Sequence, residues 1–564
     1  MILYSLVYLI INYIYIFFNI NSLGYLGIFY LAIINLFYCS LLIFWKIYIL
    51  WLYNYSEEFI IMNWIDLSNN INIFWGIKEN VINNIFAFIM IFGATIVSTF
   101  VFFEMNNDKE GQNFIIVLGY FIIFMLIVIG SNNLIFFYLG WEGISLTSYF
   151  LINFWSERVR SLKAVLKIFI ISKIGDFFII LFICLIIKFF GTVDFDHLLA
   201  TSLFLFNLNN LYILNYININ ELLGIILLLG SSIKSAQYGL HIWLLEAMEA
   251  PLGASALMHS STLVIAGVIL LLKLSFIIES STYAQFFMFI LGLMSATMGS
   301  LLACFQYELK VILAYSTISN MGYIFLLFSI GAYYEMVLVL IIHAFIKIYM
   351  FLIIGGIIYH CNGLQDIRWM GGILIYNPFL WLNYIIGGIS LIGLPYLSGY
   401  YYKNYLLNIL INSNNYLIGG EIVLLISYFF TIFYVVRLGY LVFLTNKNGH
   451  KSIYKVKKIS IFYIVTLLFL SLVVSFLHIF WINLLFTNNN ISTSIFFNSI
   501  NNYSIKITEL TYLSAYLWVS VYIFIFIFIF IYMFITLNHN YSFFKNLLFL
   551  TNLFFTLFIY FTLF

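Results

Sequence analysis

Ionisable side chains interrupt the long apolar stretches of this sequence at only a few positions. Glu142 lies in the middle of the apolar run 132–155, and Lys234 lies well inside another apolar stretch. A charged side chain within a hydrocarbon layer costs free energy, so its presence there indicates a functional role by default. These two residues are therefore the first candidates for chemistry.

The spacing of other ionisable residues predicts that acids and bases meet on single helix faces. Lys173 and Asp176 are three residues apart, and His343 and Lys347 are four apart. Residues at these spacings are neighbours on one side of a helix. The sequence therefore predicts two pairs of ionisable groups inside apolar segments.

Such pairs can move protons. A buried amine and a buried carboxylate each favour the charged form of the other, so withdrawal of the carboxylate favours the neutral amine and releases a proton. Lys234 and His241, seven residues apart, are expected to share a helix face and to extend the series. The succession of acids, lysines and histidines predicts a proton relay.

Simpler interpretations stay open for single residues. Lys163 and Lys310 lie near the ends of predicted spans, from which a long side chain can reach the membrane interface. A lone histidine such as His259 can equally serve as a packing contact between helices. Glu246 and Glu249 are also compatible with positions at the edge of a loop.

The composition predicts a protein with many membrane-spanning helices. Of the 564 residues, 64% are hydrophobic and only 8% are charged, whereas soluble proteins have about 25% charged residues. Apolar windows of about 20 residues, the length of one span, recur along the chain and predict roughly 15 or 16 spans. Alternating strands typical of outer-membrane barrels are absent from the sequence, so the predicted class is all-α.

Several function classes are excluded at this stage. The net charge of +2 and the lack of a basic run beyond 454–458 argue against nucleic acid as a partner. The four cysteines are far apart, which does not fit an iron–sulfur or zinc motif. Glycine-rich nucleotide motifs are missing. We therefore expect no cofactor in this chain, and we expect no cleavable signal peptide in its first segment.

Proline and glycine predict an interruption in one apolar stretch. The sequence SLIGLPYLSGYYYKN at 390–404 contains Pro395 and two glycines, and Lys403 follows within about two helical turns. A broken helix inside a membrane is tolerated where it lines a cavity, and a charge beside an unwound segment is common along ion pathways. An ordinary loop between two spans is the alternative.

Six motifs together resemble one family of membrane proteins. They are, in chain order, GWEGISLTSYFLINFW, KIGDF, IKSAQYGLHIWLLEAMEAPLGASALMHSSTLVIAGV, LKVILAYSTISNMGY, HAFIKIYMFL and GLPYLSGYYYKN. In this order they resemble subunit 5 of the proton-pumping NADH dehydrogenase, respiratory complex I, a family related to the large subunits of multisubunit sodium/proton antiporters. The resemblance covers residues 60–440, and its GWE sequence separates subunit 5 from subunits 2 and 4.

The resemblance implies roles for three residues at one end of the relay. Glu142 resembles the pump glutamate of the fifth helix, and Asp176 resembles the acid that pairs near it. Lys234 is similar to the lysine of a discontinuous seventh helix. In this interpretation Glu142 holds Lys234 in its charged form until the carboxylate is withdrawn.

The same resemblance implies that the relay continues through four further residues. His259, His343 and Lys347 resemble a central hydrophilic axis, and Lys403 resembles the terminal lysine on a second discontinuous helix. The implied fold is a bundle of transmembrane helices with antiporter-like inverted repeats. Its predicted parts are N-terminal helices over 1–110, a proton-translocating core over 111–440, and C-terminal helices over 441–564.

Four features depart from the family pattern. Tyr238, Gly239 and Leu240 replace a proline-containing sequence, Val339 replaces a second histidine, and Asn404 replaces an aspartate. In addition, only 28 residues follow the last predicted span at 511–536. We therefore expect the long lateral amphipathic helix of the family to be missing or truncated in this sequence.

The leading prediction is a proton-translocating subunit of the complex I membrane arm, with NADH oxidation and ubiquinone reduction on other subunits. Implied partners are other membrane-arm subunits, with antiporter-like subunit 4 as a neighbour, and lipids. The implied location is the mitochondrial inner membrane, which fits a composition rich in Ile, Phe, Tyr and Asn. A cation/proton antiporter subunit is one alternative, and a structural arm subunit with impaired pumping is another.

Overall fold

The structure is a computed structural model, and most of what it describes is helical. It describes residues 1–445, with gaps at 54, 69–70, 106–107, 109, 207–211, 214–216, 395–396 and 413–417, and also residues 466–467, 470–471 and 473. The helices are α1 Ile2–Phe18, α2 Ile20–Tyr53, α3 Val81–Glu104, α4 Gly111–Gly130, α5 Leu134–Ile152, α6 Val159–Phe190, α7 Phe195–Phe206, α8 Ile219–Lys234, α9 Ile242–Glu246, α10 Leu252–Ser260, α11 Leu263–Lys273, α12 Ser275–Ser280, α13 Thr282–Phe305, α14 Leu309–Ile330, α15 Tyr333–His360, α16 Ile373–Tyr376, α17 Pro378–Ile392, α18 Ser398–Asn412 and α19 Ile418–Gly439.

The helices confirm the predicted class of a multi-span membrane protein. Within the described ranges, 10 helical segments are long and apolar enough to cross a membrane. The shorter apolar helices α1 and α17 add to these. A membrane-embedded backbone must satisfy its own hydrogen bonds, which explains why the apolar stretches are helical. The last predicted span, at 511–536, lies outside the described residues, as does the segment after it, so the total of 15 or 16 spans and the three-part division stay predictions.

Helices α14 and α15 form the centre of the bundle. They are buried over most of their length, whereas much of α6 and α13 faces outward. Helix α13 packs closely on α14 through small residues: Gly299 lies where an added Cβ would be 2.8 Å from the backbone nitrogen of Ser319. Small residues allow this approach, which gives transmembrane helices their dispersion contacts.

Two of the spans are interrupted where the sequence predicts interruptions. Helix α8 ends at Lys234, and the backbone has positive φ at Ala236 (53°) and Gly239 (92°) before α9 begins. Helix α17 ends before Gly393, which has φ 88°, and α18 begins at Ser398. The prediction of broken helices is therefore confirmed at both places, although Pro395 lies outside the described residues. The break after α8 also means that Lys234 and His241 are not on one continuous helix face, so that prediction was wrong.

A β-hairpin lies in a polar stretch between two helices, where the sequence pattern alone predicts an extramembrane loop. The polar stretch 54–84 contains strands β1 (Glu57–Ser68) and β2 (Ile71–Glu79), which pair antiparallel. A second, very short hairpin, β3 (Tyr212–Ile213) with β4 (Ile217–Asn218), lies in the predicted loop 192–221. The first hairpin exposes apolar side chains such as Ile60 and Trp64. Its sequence therefore lacks the regular alternation of buried apolar and exposed polar residues that indicates a strand.

The first hairpin helps to position the start of α5. Asn133 accepts a hydrogen bond from the Phe136 backbone nitrogen at 2.7 Å, which caps the helix, and it donates to the Phe74 carbonyl of β2 at 2.5 Å. A side-chain cap of this kind satisfies one of the free N–H groups at a helix start. The helix that carries Glu142 is therefore anchored to β2 at its first turn.

The contact between α13 and α14 predicts the effect of one added methyl group. We expect Gly299→Ala to lower the stability of the chain by about 1–3 kcal/mol, because the new Cβ overpacks against the α14 backbone. The measurement is the thermal unfolding midpoint of the detergent-solubilised protein. Gly27→Ala is the matched control, because its Cβ would be at an ordinary 3.4 Å from Leu23. Equal midpoints for the two variants would contradict the close packing.

Candidate functional site

Two carboxylates share one ammonium group where α5 meets α6. The Lys173 Nζ atom lies 2.5 Å from Glu142 Oε2 and 3.3 Å from Asp176 Oδ2. The Tyr138 hydroxyl donates to Glu142 Oε1 at 2.5 Å, and the Ser145 hydroxyl lies 3.3 Å from the other carboxylate oxygen. Charge-assisted hydrogen bonds of this kind are stronger than neutral ones. The predicted meeting of Lys173 and Asp176 on one face of α6 is confirmed.

Trp141 connects this cluster to Lys234. Its indole N–H donates to Asp176 Oδ1 at 2.8 Å, and the Lys234 Nζ atom lies over its ring at 5.0 Å from the ring centre. Lys234 is only 3% exposed and stands at the C-terminal end of α8, where the helix dipole favours a cation. Glu142 itself hydrogen-bonds Lys173, and it acts on Lys234 electrostatically alongside Asp176.

The predicted central axis lies in the buried middle of the bundle. His259 of α10 is fully buried and its ring stacks on Phe351 of α15 at 6.1 Å. His343 of α15 is also buried, and its Nδ1 atom lies 3.2 Å from the side-chain nitrogen of Asn320. Both ring nitrogens of His259, and Nε2 of His343, have no hydrogen-bond partner among the described residues. Buried polar atoms are nearly always bonded to protein or water, so these atoms are candidate positions for water contacts.

Lys347 and Lys403 occupy the far part of the axis. Lys347 is fully buried and its ammonium bonds the Ser316 hydroxyl of α14. Lys403 is fully buried beside the second helix break, and its Nζ atom lies 2.7 Å from the Leu391 carbonyl and 3.1 Å from the Ile392 carbonyl. These carbonyls belong to the last turn of α17, where the helix leaves them without partners. The lysine therefore caps the broken end.

The positions that replace family residues are also buried. Val339 lies one turn before His343 in α15 and is apolar and buried. The Oδ1 atom of Asn404 is buried and has no hydrogen-bond partner within the described part of the chain. Neither position supplies a charge near the axis.

Several charged residues lie in places that their sequence context does not indicate. Lys310 is 4% exposed and donates to the Ala250 carbonyl at 2.9 Å, so its expected reach to the membrane interface was wrong. Lys163 is exposed, as that interpretation predicts. Lys273, for which no role is predicted from the sequence, is buried and donates to the Ser131 carbonyl at 2.8 Å. Its place at the last residue of an apolar helix was the available signal.

The described residues do not form an obvious metal centre. Among them, no three His, Cys, Asp or Glu side chains come close enough together to hold a metal ion. The four cysteines are free thiols. The expectation that this chain binds no cofactor stays a prediction.

Comparisons with known proteins agree with the resemblance seen in the sequence. Residues 131–431 match the family model described as NADH:quinone oxidoreductase/Mrp antiporter, TM. All seven predicted relay residues lie inside this range.

Curated relatives of similar sequence are named NADH-ubiquinone oxidoreductase chain 5. The protein of Chondrus crispus is 34% identical over 73% of this chain and 62% of its own length. Those of Acanthamoeba castellanii and Metridium senile are 33% and 34% identical, over 78% and 74% of this chain and 67% of their own lengths. The chain therefore spans about two thirds of the length of the relatives that it matches.

A solved structure supports the fold. The structure of the Mrp complex from Dietzia sp. DQ12-45-1b contains a chain with a TM-score of 0.73 and 17% sequence identity. The likeness covers 84% of this chain and 50% of that one. The family match and the relatives show that the chain belongs to the NADH:quinone oxidoreductase/Mrp antiporter transmembrane family, within its NADH-ubiquinone oxidoreductase chain 5 group.

Proposed function

We propose that the chain is a proton-translocating subunit of the membrane arm of respiratory complex I. NADH oxidation and ubiquinone reduction take place on other subunits, and this chain moves protons in response. The observation that carries the proposal is the cluster of Glu142, Lys173 and Asp176, which is joined through Trp141 to the buried Lys234. It provides an ammonium that can exchange carboxylate partners beside a second, buried amine.

In the proposed mechanism, the first step is a change in which carboxylate, Glu142 or Asp176, binds the Lys173 ammonium. When Lys173 stays with Glu142, Asp176 supplies negative charge near Lys234. When Lys173 turns to Asp176 and the released Glu142 carboxylate takes up a proton, neither carboxylate carries an uncompensated negative charge near Lys234, and the protonated form of Lys234 loses its support. Loss of an opposite charge favours the neutral amine. A proton then leaves Lys234 towards the buried histidines of the axis.

The continuation of the relay uses the buried groups of α10, α15 and α18. His259 and His343 carry ring nitrogens that can bond water, and Lys347 follows His343 by one turn on α15. Lys403 lies at the second break, where its ammonium donates hydrogen bonds to the last carbonyls of α17. Helix breaks near substrate ions are a recurring feature of transporters. We infer that protons pass through these groups with bridging water.

The lateral face of α5 and α6 is proposed to adjoin another subunit. The Lys173 side chain is 38% exposed and the Glu142 side chain is 22% exposed, although both lie near the middle of their helices. A charged pair facing lipid at this depth is costly. A protein neighbour with polar groups would remove that cost, and antiporter-like subunit 4 is the proposed neighbour. Other outward faces, such as that of α2 with Ile34 and Leu41, suit lipid.

The proposed location is the mitochondrial inner membrane. The names of the curated relatives refer to NADH-ubiquinone oxidoreductase, and the composition fits an organelle gene. A cation/proton antiporter subunit is the second candidate, because the family model also includes Mrp antiporters. Proton pumping coupled to NADH oxidation, measured in the presence and absence of sodium, separates the two functions.

The proposed function predicts the effect of removing the charge of Glu142. We expect Glu142→Gln to lower NADH:ubiquinone turnover and proton pumping about tenfold or more, because one positioned proton-transfer group contributes about 10²–10⁴-fold. The measurement is proton uptake by vesicles that contain the assembled complex, scored against NADH oxidation. Wild-type values for both rates in a fully assembled complex would contradict the relay and favour a structural arm subunit.

The second prediction concerns the shared ammonium. We expect Lys173→Met to impair pumping as strongly as Glu142→Gln, because it leaves two carboxylates close together without a cation. Lys163→Met is the matched control on the same helix, since Lys163 is exposed and is not part of the cluster. The double variant of Glu142 and Lys173 should be less impaired than the sum of the single variants, as expected for residues in contact. Similar pumping in the Lys173 and Lys163 variants would exclude a role for the shared ammonium.

A further inference from the structure

Helix α10, which carries His259, is capped by a carboxylate from a distant part of the chain. Glu104, the last residue of α3, accepts hydrogen bonds from the backbone nitrogens of Leu252 at 2.9 Å and Gly253 at 3.0 Å. These are the first two residues of α10, whose own N-cap residue, Pro251, provides no side-chain cap. Free N–H groups and the helix dipole at this end favour a negative charge.

The close approach of α10 to α3 depends on a missing side chain. A Cβ atom at position 253 would overlap the Val101 side chain, one turn before Glu104. Gly253 therefore allows the first turn of α10 to lie directly on the end of α3. The carboxylate of Glu104 reaches both N–H groups from that position.

A lysine holds the segment that precedes α10 by its carbonyl groups. Lys310, in the first turn of α14, donates to the carbonyl oxygens of Met248 at 3.3 Å and Ala250 at 2.9 Å. Lys310 and Glu104 also interact electrostatically with one another. The segment 248–253 is thus held by its carbonyl groups on α14 and by its N–H groups on α3. We call this arrangement the Glu104–Lys310 clamp.

The two ends of the clamp are connected to residues of the proposed relay. His259 follows Leu252 by seven residues on α10, a rise of about 10 Å. Helix α14 also contributes Ser316, which bonds Lys347. A shift of 248–253 would therefore change the position of His259 relative to α14, the helix whose Ser316 bonds Lys347.

We propose that Glu104 and Lys310 are positioning residues for proton transfer, and that their clamp on 248–253 sets the place of His259 against Lys347. The inference rests on the proposed function, because it assigns the clamp to the same relay. Neither residue contacts the seven relay side chains directly through the bonds described above. They act on the relay through α10 and α14, and Lys310 also lies within electrostatic range of His259. Loss of the Glu104 carboxylate displaces the buried histidine without removing any relay group.

The chain offers a matched control for the cap. Glu221 accepts hydrogen bonds from the backbone nitrogens of Thr282 at 2.8 Å and Tyr283 at 3.0 Å, so it caps α13 in the same way that Glu104 caps α10. Helix α13 carries none of the seven relay residues. Glu221 itself is 13 residues from Lys234, about 20 Å along α8.

The test compares Glu104→Gln with Glu221→Gln in the assembled complex in vesicles. Each substitution keeps the size of the side chain and removes its charge. Amide hydrogen exchange should accelerate about fivefold at 248–258 in the first variant and at 281–287 in the second, as expected for a weakened cap. Proton pumping should fall about tenfold in Glu104→Gln only, because small misplacements of reacting groups have large effects on rate. The ratio of protons moved to NADH oxidised should fall with it.

A conservative variant separates positioning from simple loss of structure. Glu104→Asp keeps the carboxylate, and we expect it to restore most of the pumping and of the proton-to-NADH ratio. Normal exchange at 248–258 in Glu104→Gln would overturn the clamp, and faster exchange with normal pumping would overturn its role in positioning. Failure of the proposed function has a different signature: pumping would then be normal in Glu142→Gln. Reduced pumping in Glu142→Gln together with normal pumping in Glu104→Gln would overturn only the clamp.

Discussion

Backbone groups at the ends and breaks of helices must find hydrogen-bond partners inside the protein, because lipid offers none. In this chain, charged side chains meet that requirement at several helix ends. Lys403 bonds the last carbonyls of α17, Lys310 bonds those before α10, and Lys273 bonds those at the end of α4. Glu104 meets the opposite need at the start of α10. The costs of a buried charge and of an open helix end therefore offset one another.

The nature of the hydrogen-bond partner separates two groups of lysines within the helices. Lys273 and Lys310 bond carbonyl oxygens at fixed helix ends, so their ammonium groups are occupied by the fold. Lys173, in contrast, lies between two carboxylates on different helices and can change its preference without leaving the cluster. Lys173 is partly exposed and the other two lysines are buried, but exposure does not decide whether the partner can take up a proton. The chemical nature of the partner does, because a carboxylate can be protonated and a backbone carbonyl cannot.

The sequence predicts the main features of the site because charges stand out in apolar segments. Glu142 and Lys234 could be identified by position alone, and the break near Lys403 by its glycine residues. The spacing of Lys173 and Asp176 also predicts their contact, since both lie on one helix. The bond from Lys173 to Glu142 was not predictable in this way, because it depends on how α5 packs against α6.

Contacts between distant segments and local extramembrane structure were the least predictable parts. Glu104 and Leu252 are separated by 148 residues, and neither has a sequence pattern that indicates the other. In the sequence, Lys310 looks like a lysine that extends to the membrane interface. Only the folded position of 248–250 shows that its ammonium bonds backbone carbonyls instead. The polar and apolar residues of β1 and β2 do not alternate regularly, so the sequence alone favours a loop over the hairpin that forms. Its register shifts are consistent with that irregular pattern.

Asn404, where the resemblance leads us to expect an aspartate, is consistent with this use of helix ends. Lys403 has no carboxylate at the next position, but its ammonium lies against two carbonyls at the C-terminal end of α17. Such an end carries a partial negative charge equivalent to roughly half an elementary charge. The Thr431 hydroxyl, at 3.3 Å, is a third partner. A buried cation beside this break is therefore compensated by the broken helix itself, and the loss of a charged neighbour at position 404 leaves the lysine with partners for all three of its N–H groups.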